Sequence, residues 1–370
     1  MEKSKVIEEA QIPTAEAVPS LLSWRPPGGV FSIYAAFDPA DRGGAWWIEL
    51  REGLREAAGR AGGDRDSQLA ARATAERLEQ TLAAEHREAG RGLIGFVEAG
   101  RERGEERWFV TEIPPRATEV HHAERPQVGP LLAILDDGAP IGVAVLSSEK
   151  IRLFDAHLGR LEKLHDWELE LFSGDWRERK APASRDPGAG QMTSAAGRDQ
   201  YRQRLNSNRD RFVHQAGGLA RADARKLGWR TVLAFGDDGL VSRFEEGLAG
   251  DCPVSQVAST DLISVPAAQV AERVRAHLPE LNRARERELI ERVKEAAYSK
   301  GRSSFGPRET LQALEQGRAE HLIYDSGLET PDTERLIELA IASGAAVTPV
   351  EGAAAAELSE QGGVAALLRY

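Results

Sequence analysis

Cysteine is almost missing from this chain of 370 residues: Cys252 stands alone, which excludes disulfides within the chain and any metal site built on several cysteines. No apolar run approaches the roughly 18 residues that a bilayer-crossing helix needs. A Gly-x-x-x-x-Gly-Lys-Ser/Thr loop is missing too, so the chain carries no P-loop cradle for a nucleotide. The opening residues, MEKSKVIEEAQIPTAEAVP, lack the apolar centre of a secretory signal and do not read as a transit peptide. The expected location is therefore cytoplasmic, with no membrane partner.

Basic charge is in deficit. There are 48 Lys and Arg against 59 Asp and Glu, a net charge of −11. A protein of that sign has no overall attraction for nucleic acid, so binding would need a local basic surface. Residues 176–230 provide one, with 13 Lys and Arg against 5 Asp and Glu, which leaves the remainder of the chain at −19. Two readings of this island stand side by side, an RNA-facing surface and a solvated helix face.

The island opens on a stretch poor in every signal of regular structure. From Phe172 to Gly197 there is no periodicity, and a stretch of that length is functional or disordered more often than part of a compact domain. It holds Pro187-Gly188-Ala189-Gly190-Gln191. Behind it Arg198 to Lys226 is amphipathic, with Tyr201, Leu205, Phe212, Ala216 and Leu219 on one stripe and Arg198, Arg202, Arg209 and Arg225 off it. As a helix, Asp199 to Lys226 would reach about 40 Å, with Gly217-Gly218 marking a break.

At roughly 100 to 200 residues per domain the length predicts two to three domains. Phe31–Phe37, Arg91–Ala99 and Arg107–Ile113 read as strands, and Glu49–Ala58 and Ser67–His86 as helices. From Pro130, LLAILDD, PIGVAVLSS and KIRLFDAH read as three strands of a meander, with a further strand within His157–Leu171. Arg230–Phe235 is a strand and Val241–Leu248 a helix. Beyond Asp251, a helix over Ala267–Tyr298 is broken near Pro279. Helices at Pro307–Glu315 and Asp332–Ser343 then alternate with strands at His321–Asp325, Ala346–Val350 and Val364–Tyr370. That alternation predicts a three-layer α/β domain.

Several residues invite chemistry and have plainer readings. His121-His122 with Glu124 suggests metal ligands, but neighbouring side chains diverge on regular structure, which favours a surface loop. His157, His165 and Asp166 read as surface or half-buried, and Trp46, Trp47, Trp167 and Trp176 as packing rather than base stacking. Cys252, before Pro253, reads as a small apolar residue.

FGPRETLQALEQGRAEHLIYD, the Gly-Ala-Ala-Val-Thr-Pro-Val strand and GGVAALLRY resemble the C-terminal domain of the archaeal and eukaryotic peptide chain release factors. WRTVLAFGDDGLVSRF resembles the end of that family's middle domain. GQMTSAAGRDQYRQRLNSNRDRFVHQ resembles its Gly-Gly-Gln loop and basic helix, and FSIYAAFDP and GRGLIGFVEAG resemble strands of its N-terminal domain. The likeness runs from about Phe31 onward. It points to the divergent bacterial and archaeal release-factor-like group, which is similar also to the hibernation factor Balon and to the tRNA hydrolase of ribosome quality control.

The resemblance implies three α/β domains in tandem. Residues 1–127 form an N-terminal domain without stop-codon motifs. Residues 128–250 form a middle domain with a mixed sheet, the GAGQ loop and the long basic helix, and residues 251–370 form the three-layer domain. It implies a ribosomal A-site protein with rRNA and peptidyl-tRNA as partners, a translational GTPase of the elongation-factor type as a further one, and no DNA, metal or cofactor. Gly188, Ala189, Gly190 and Gln191 would form the catalytic loop, and Arg198, Arg202, Arg204, Arg209 and Arg211 would contact phosphates. A glutamine amide does not titrate, so hydrolysis would come from positioning and from N–H donation to the developing oxyanion. Two departures count against part of this. Ala189 stands where the family has its first glycine, and a left-handed conformation there costs about 1–2 kcal/mol. No Asn-Ile-Lys-Ser run or Tyr-x-Cys pattern occurs in the N-terminal part, which removes stop-codon decoding. What remains is stop-codon-independent peptidyl-tRNA hydrolysis in ribosome rescue, with a non-catalytic hibernation or stress factor as the alternative. A third reading is an unrelated protein whose loop is a plain linker.

Overall fold

The computed structural model describes residues 10–37, 44–85, 90–100, 102–170, 176–178, 195–258, 261–300, 302–328 and 331–369. Its contacts divide into two units, Met1–Gly138 with Asn282–Tyr370, and Ala139–Leu281. Three sheets and their helices make it a mixed α/β protein.

In the first unit, β1 (Val30–Ala36) pairs antiparallel with β2 (Gly92–Glu98) on one side and β4 (Glu119–Ala123) on the other. β3 (Glu106–Thr111) completes the order β3-β2-β1-β4. β1 and β2 are apolar nearly throughout and lie centrally. A short helix, α1 (Ala17–Leu22), precedes them. Two longer helices, α2 (Ala45–Gly59) and α3 (Arg65–Glu85), bury Leu50, Leu54, Leu78 and Leu82 with Phe31, Ile33, Leu93 and Val97 of the sheet. The EVHHA segment is thus an edge strand and not the expected surface loop. His122 packs on Phe31, ring centroids 4.8 Å apart, and its Nε2 lies 3.1 Å from the Gly28 oxygen. LLAILDD is also a correction: it belongs to a helix, α4 (Gly129–Asp137), started by Pro130 in its first turn. A short apolar run suits either structure, and the early proline was the sign of a helix.

The C-terminal part of this unit holds the sheet β11 (Ser303–Phe305), β14 (Val364–Leu368), β12 (Ala319–Asp325) and β13 (Ala346–Val350), in that order. Only β12 and β13 run parallel. On one face, Leu289, Ile290 and Val293 of α7 (Ala267–Lys300) and Ala354, Ala355 and Leu358 of α10 (Gly352–Ser359) cover Ile323, Val350, Ala365 and Leu367. Side chains at alternate strand positions point the other way, toward α8 (Pro307–Glu315) and α9 (Pro331–Ala342), which bury Ala313, Leu314, Leu336 and Ile337.

The second unit is built on six strands in the order β10-β9-β5-β6-β7-β8. β5 (Ile141–Leu146), β9 (Val232–Phe235) and β10 (Val254–Val257) are parallel. β6 (Lys150–His157), β7 (Arg160–Leu169) and β8 (Trp176–Glu178) continue antiparallel from β5. One face carries α5 (Ala195–Leu227) and α6 (Asp238–Leu248). The other carries a 3-10 turn, Asp261–Ser264, and residues 267–281 of α7. Two expected breaks do not occur: α5 runs through Gly217-Gly218 and α7 through Pro279. At Pro279, Leu278 and Leu281 pack on the sheet and hold the helix despite the lost hydrogen bond. Among the described residues no helix is long and apolar enough to cross a membrane.

Candidate functional site

Helix α5 is 33 residues long, about 50 Å at 1.5 Å per residue. Among its described side chains the buried stripe begins at Phe212 and continues through Val213, Ala216, Ala220 and Ala224, against Leu153, Trp167, Val241 and Phe244. Leu219, expected on that stripe, is 39% exposed. Between 203 and 211 no side chain is buried: Gln203, Arg204, Asn206, Ser207, Asp210 and Arg211 are exposed, and Leu205, Asn208 and Arg209 are half-buried. The helix is therefore anchored by its second half, and within 203–211 it is a largely solvated stretch.

The basic residues of α5 have different fates. Arg221 and Arg225 both grip Asp251, Arg225 at 2.8 Å, and hold that carboxyl below its ordinary range. Arg209 is paired with Glu149, at the turn between β5 and β6. His165 of β7 stacks on Trp167 with ring centroids 4.7 Å apart, and its Nε2 lies 3.0 Å from Asp223 of α5. The His165 contact ties the second half of the helix to β7, and the Asp251 pairs tie it to the loop after α6. Ion pairs thus engage three arginines of the helix, Arg209, Arg221 and Arg225, while Arg204 is exposed.

Of the residues expected at the site, Arg204, Arg209 and Arg211 fall on this one helix, with Arg209 engaged by Glu149. Arg198 and Arg202 lie on the first turns of α5, and their side chains are outside the described residues, as are Gly188, Ala189, Gly190 and Gln191. The acidic partners Glu149, Asp223 and Asp251 escaped sequence reasoning. Glu149 and Asp251 meet α5 only through folding, as Asp223 of α5 meets His165 of β7, and no local spacing marks any of them. Cys252 is buried, donates to the Trp229 oxygen at 3.5 Å and has its thiol pushed up to about 11 by burial, as suits a core residue and not a nucleophile. In the first unit a cleft of about 390 Å³ lies between α1 and β3. Its polar groups are spent on one another: Arg107 on Ser20 and Glu105, Glu106 on Arg103 and Trp108.

Residues 140–276 match the model of bacterial archaeo-eukaryotic release factor family 5. Among solved structures the chain is similar to the archaeal translation termination factor aRF1, at 19% identity, with 96% of this chain and 97% of that one covered and a TM-score of 0.26. It is similar to archaeal Pelota, from a ribosome-bound assembly with ABCE1, at 13% identity, 100% and 98% coverage and a TM-score of 0.43. Dom34 of S. cerevisiae, a translation termination-like factor that interacts with Hbs1, shares 9% identity over 75% of this chain and 79% of its own, with a TM-score of 0.40. Among curated proteins none matches.

Proposed function

Residues 140–276 match the model of bacterial archaeo-eukaryotic release factor family 5, and from that match we propose that the chain is a release-factor-like protein that binds the ribosome and presents the loop at Gly188–Gln191 to the peptidyl transferase centre. The observation that carries this reading is the mounting of α5. The loop directly precedes in the chain a basic helix whose anchorage lies in its second half. Arg198, Arg202, Arg204 and Arg211 then meet rRNA phosphates, which position the loop without reading sequence. Gln191 orients a water against the ester carbonyl of peptidyl-tRNA, the carbonyl-to-ribose oxygen bond breaks, and the terminal hydroxyl of the tRNA leaves with the proton. With no stop-codon motif in residues 1–127, the reaction is stop-codon independent and serves stalled ribosomes. The acidic C-terminal part, residues 251–370, faces a translational GTPase of the elongation-factor type, and the setting is cytoplasmic.

One residue favours a second reading. Ala189 in place of the family's first glycine disfavours a left-handed backbone, as suits a factor that occupies idle ribosomes without hydrolysis. Both readings are tested on ribosomes loaded with peptidyl-tRNA. Peptide release that disappears in Gln191→Ala supports the catalytic loop, and release indifferent to that change refutes it. Salt-sensitive ribosome binding without release supports occupancy, and no binding at low ionic strength ends both.

A further inference from the structure

The chain passes between its two units twice, after Gly138 and before Asn282. Within the first unit, the residues beside these crossings are tied to each other. Asn282 donates from Nδ2 to both the main-chain oxygen and Oδ1 of Asp137, each at 3.2 Å. One turn further along α7, Arg285 donates from Nη1 to Oδ1 of Asp136 at 3.2 Å and from Nη2 to its Oδ2. The Asp136 side chain is only 4% exposed. Asp137 also receives Arg116 at 3.3 Å.

Asp136 and Asp137 are the last two residues of α4, where the carbonyl end of a helix disfavours negative charge. Burial pushes the Asp137 carboxyl up, and neighbouring Asp136 and Glu351 add to this, against the pull of Arg116. Stability alone is a poor reason for such an arrangement, because buried ion pairs often do no better than apolar packing of the same volume. What a two-pronged guanidinium and a doubly placed amide do supply is a specific geometry.

Each crossing has a weak point next to these contacts. The first is Gly138-Ala139-Pro140. The second lies within the continuous helix α7, three residues past Pro279, which has no N–H to give to the Arg275 carbonyl.

We propose that Asp136, Asp137, Asn282 and Arg285 are a junction pin: they tie the end of α4 to α7, so that the Gly138-Ala139-Pro140 link and the helix both leave the first unit from one fixed origin. This stands apart from the ribosomal reading and survives its failure.

The test is spin-label distance measurement on the full chain in a Cys252→Ala background. One label pair bridges the units, at the exposed positions Glu76→Cys and Glu162→Cys, and a control pair lies within the first unit, at Glu76→Cys and Glu309→Cys. The pin is broken by Asp136→Asn with Arg285→Gln, which strands no buried charge, and separately by Asn282→Ala. The bridging distance distribution should broaden relative to the parent, while the control distribution stays narrow. A bridging distribution as narrow as the parent's in both variants overturns the proposal. So does equal broadening of the control pair, which would make these residues mere supports of the first unit. If the double variant does not fold, Asn282→Ala decides.

Discussion

Gly217 of α5 and Gly247 of α6 meet backbone to backbone. A Cβ on Gly217 would come within 2.1 Å of the Phe244 carbonyl oxygen, and one on Gly247 within 2.1 Å of the His214 carbonyl oxygen. The two helices cross here with no room for a methyl group. Overpacking of this kind costs about 1–3 kcal/mol, so Gly217→Ala and Gly247→Ala should each lower the urea midpoint of the second unit. Gly218 is the internal control. Its nearest neighbour for a Cβ is 4.0 Å away, so Gly218→Ala should be neutral or stabilise by about 0.5–1 kcal/mol through helix propensity. Equal losses at 217 and 218 would show that propensity and not the crossing governs the site.

That contact explains why the paired glycines misled as a sequence signal. A Gly-Gly step reads as a helix break unless another backbone lies against it, and Gly247 is thirty residues away in the chain. The C-terminal sheet was legible because its signals are local: Pro307 opens α8, Gly317 and Gly344 adopt positive φ after α8 and α9, and apolar strands fall between. The β4 edge strand was not. Its pattern, Glu-Val-His-His-Ala, is only half-buried throughout and gains its partner, β1, across some ninety residues. The basic helix was legible by composition, but which arginines are already occupied depends on Glu149 and Asp251, two residues that only the fold brings near.

Glu334 gives a prediction in pH. It is 9% exposed, its Oε1 lies 3.4 Å from the Gly129 amide, and its Oε2 is buried with no hydrogen-bond partner among the described residues. Burial pushes its carboxyl above the ordinary value, only partly opposed by the Gly129 and Val128 amides, Arg125 and His121. The folded protein thus holds this proton more tightly than the unfolded chain. Stability contributed by the protonated form is present below the ordinary carboxylate range and is lost as pH rises through the raised value. Glu334→Gln keeps the shape without the charge. Its advantage over the parent in unfolding free energy should be small near about pH 4 and larger near about pH 7. An advantage that shrinks on going up would reverse the assignment.

Arg152 of β6 is 7% exposed and sits over the Phe154 ring. Its Nη1 donates to the carbonyl oxygens of Leu262 at 3.2 Å and Val265 at 2.7 Å, which holds the 3-10 turn against the sheet. Arg152→Leu would leave those carbonyls without their donor, at a cost of about 1–3 kcal/mol. Amide exchange at residues 261–265 should accelerate beyond what the global loss explains. Exchange that rises evenly over the whole unit would assign Arg152 to general core packing instead.

The exposure difference along α5 makes the ribosomal reading testable residue by residue. Arg204 is exposed, whereas Arg221 is held by Asp251 on the anchored half. If the first half of α5 lies on RNA, Arg204→Ala should weaken ribosome binding. It should also flatten the dependence of log K on log salt by about 0.7–0.9 for the lost phosphate contact. Arg221→Ala should leave that slope where it was, its effect appearing in the thermal stability of the second unit, because it breaks an internal ion pair and not an RNA contact. Charge alone predicts the same loss for both, since each removes one positive unit from the same helix. A slope that flattens equally in the two variants would mean that the helix attracts RNA only as a diffuse cation, and that its orientation on the sheet does not direct the loop.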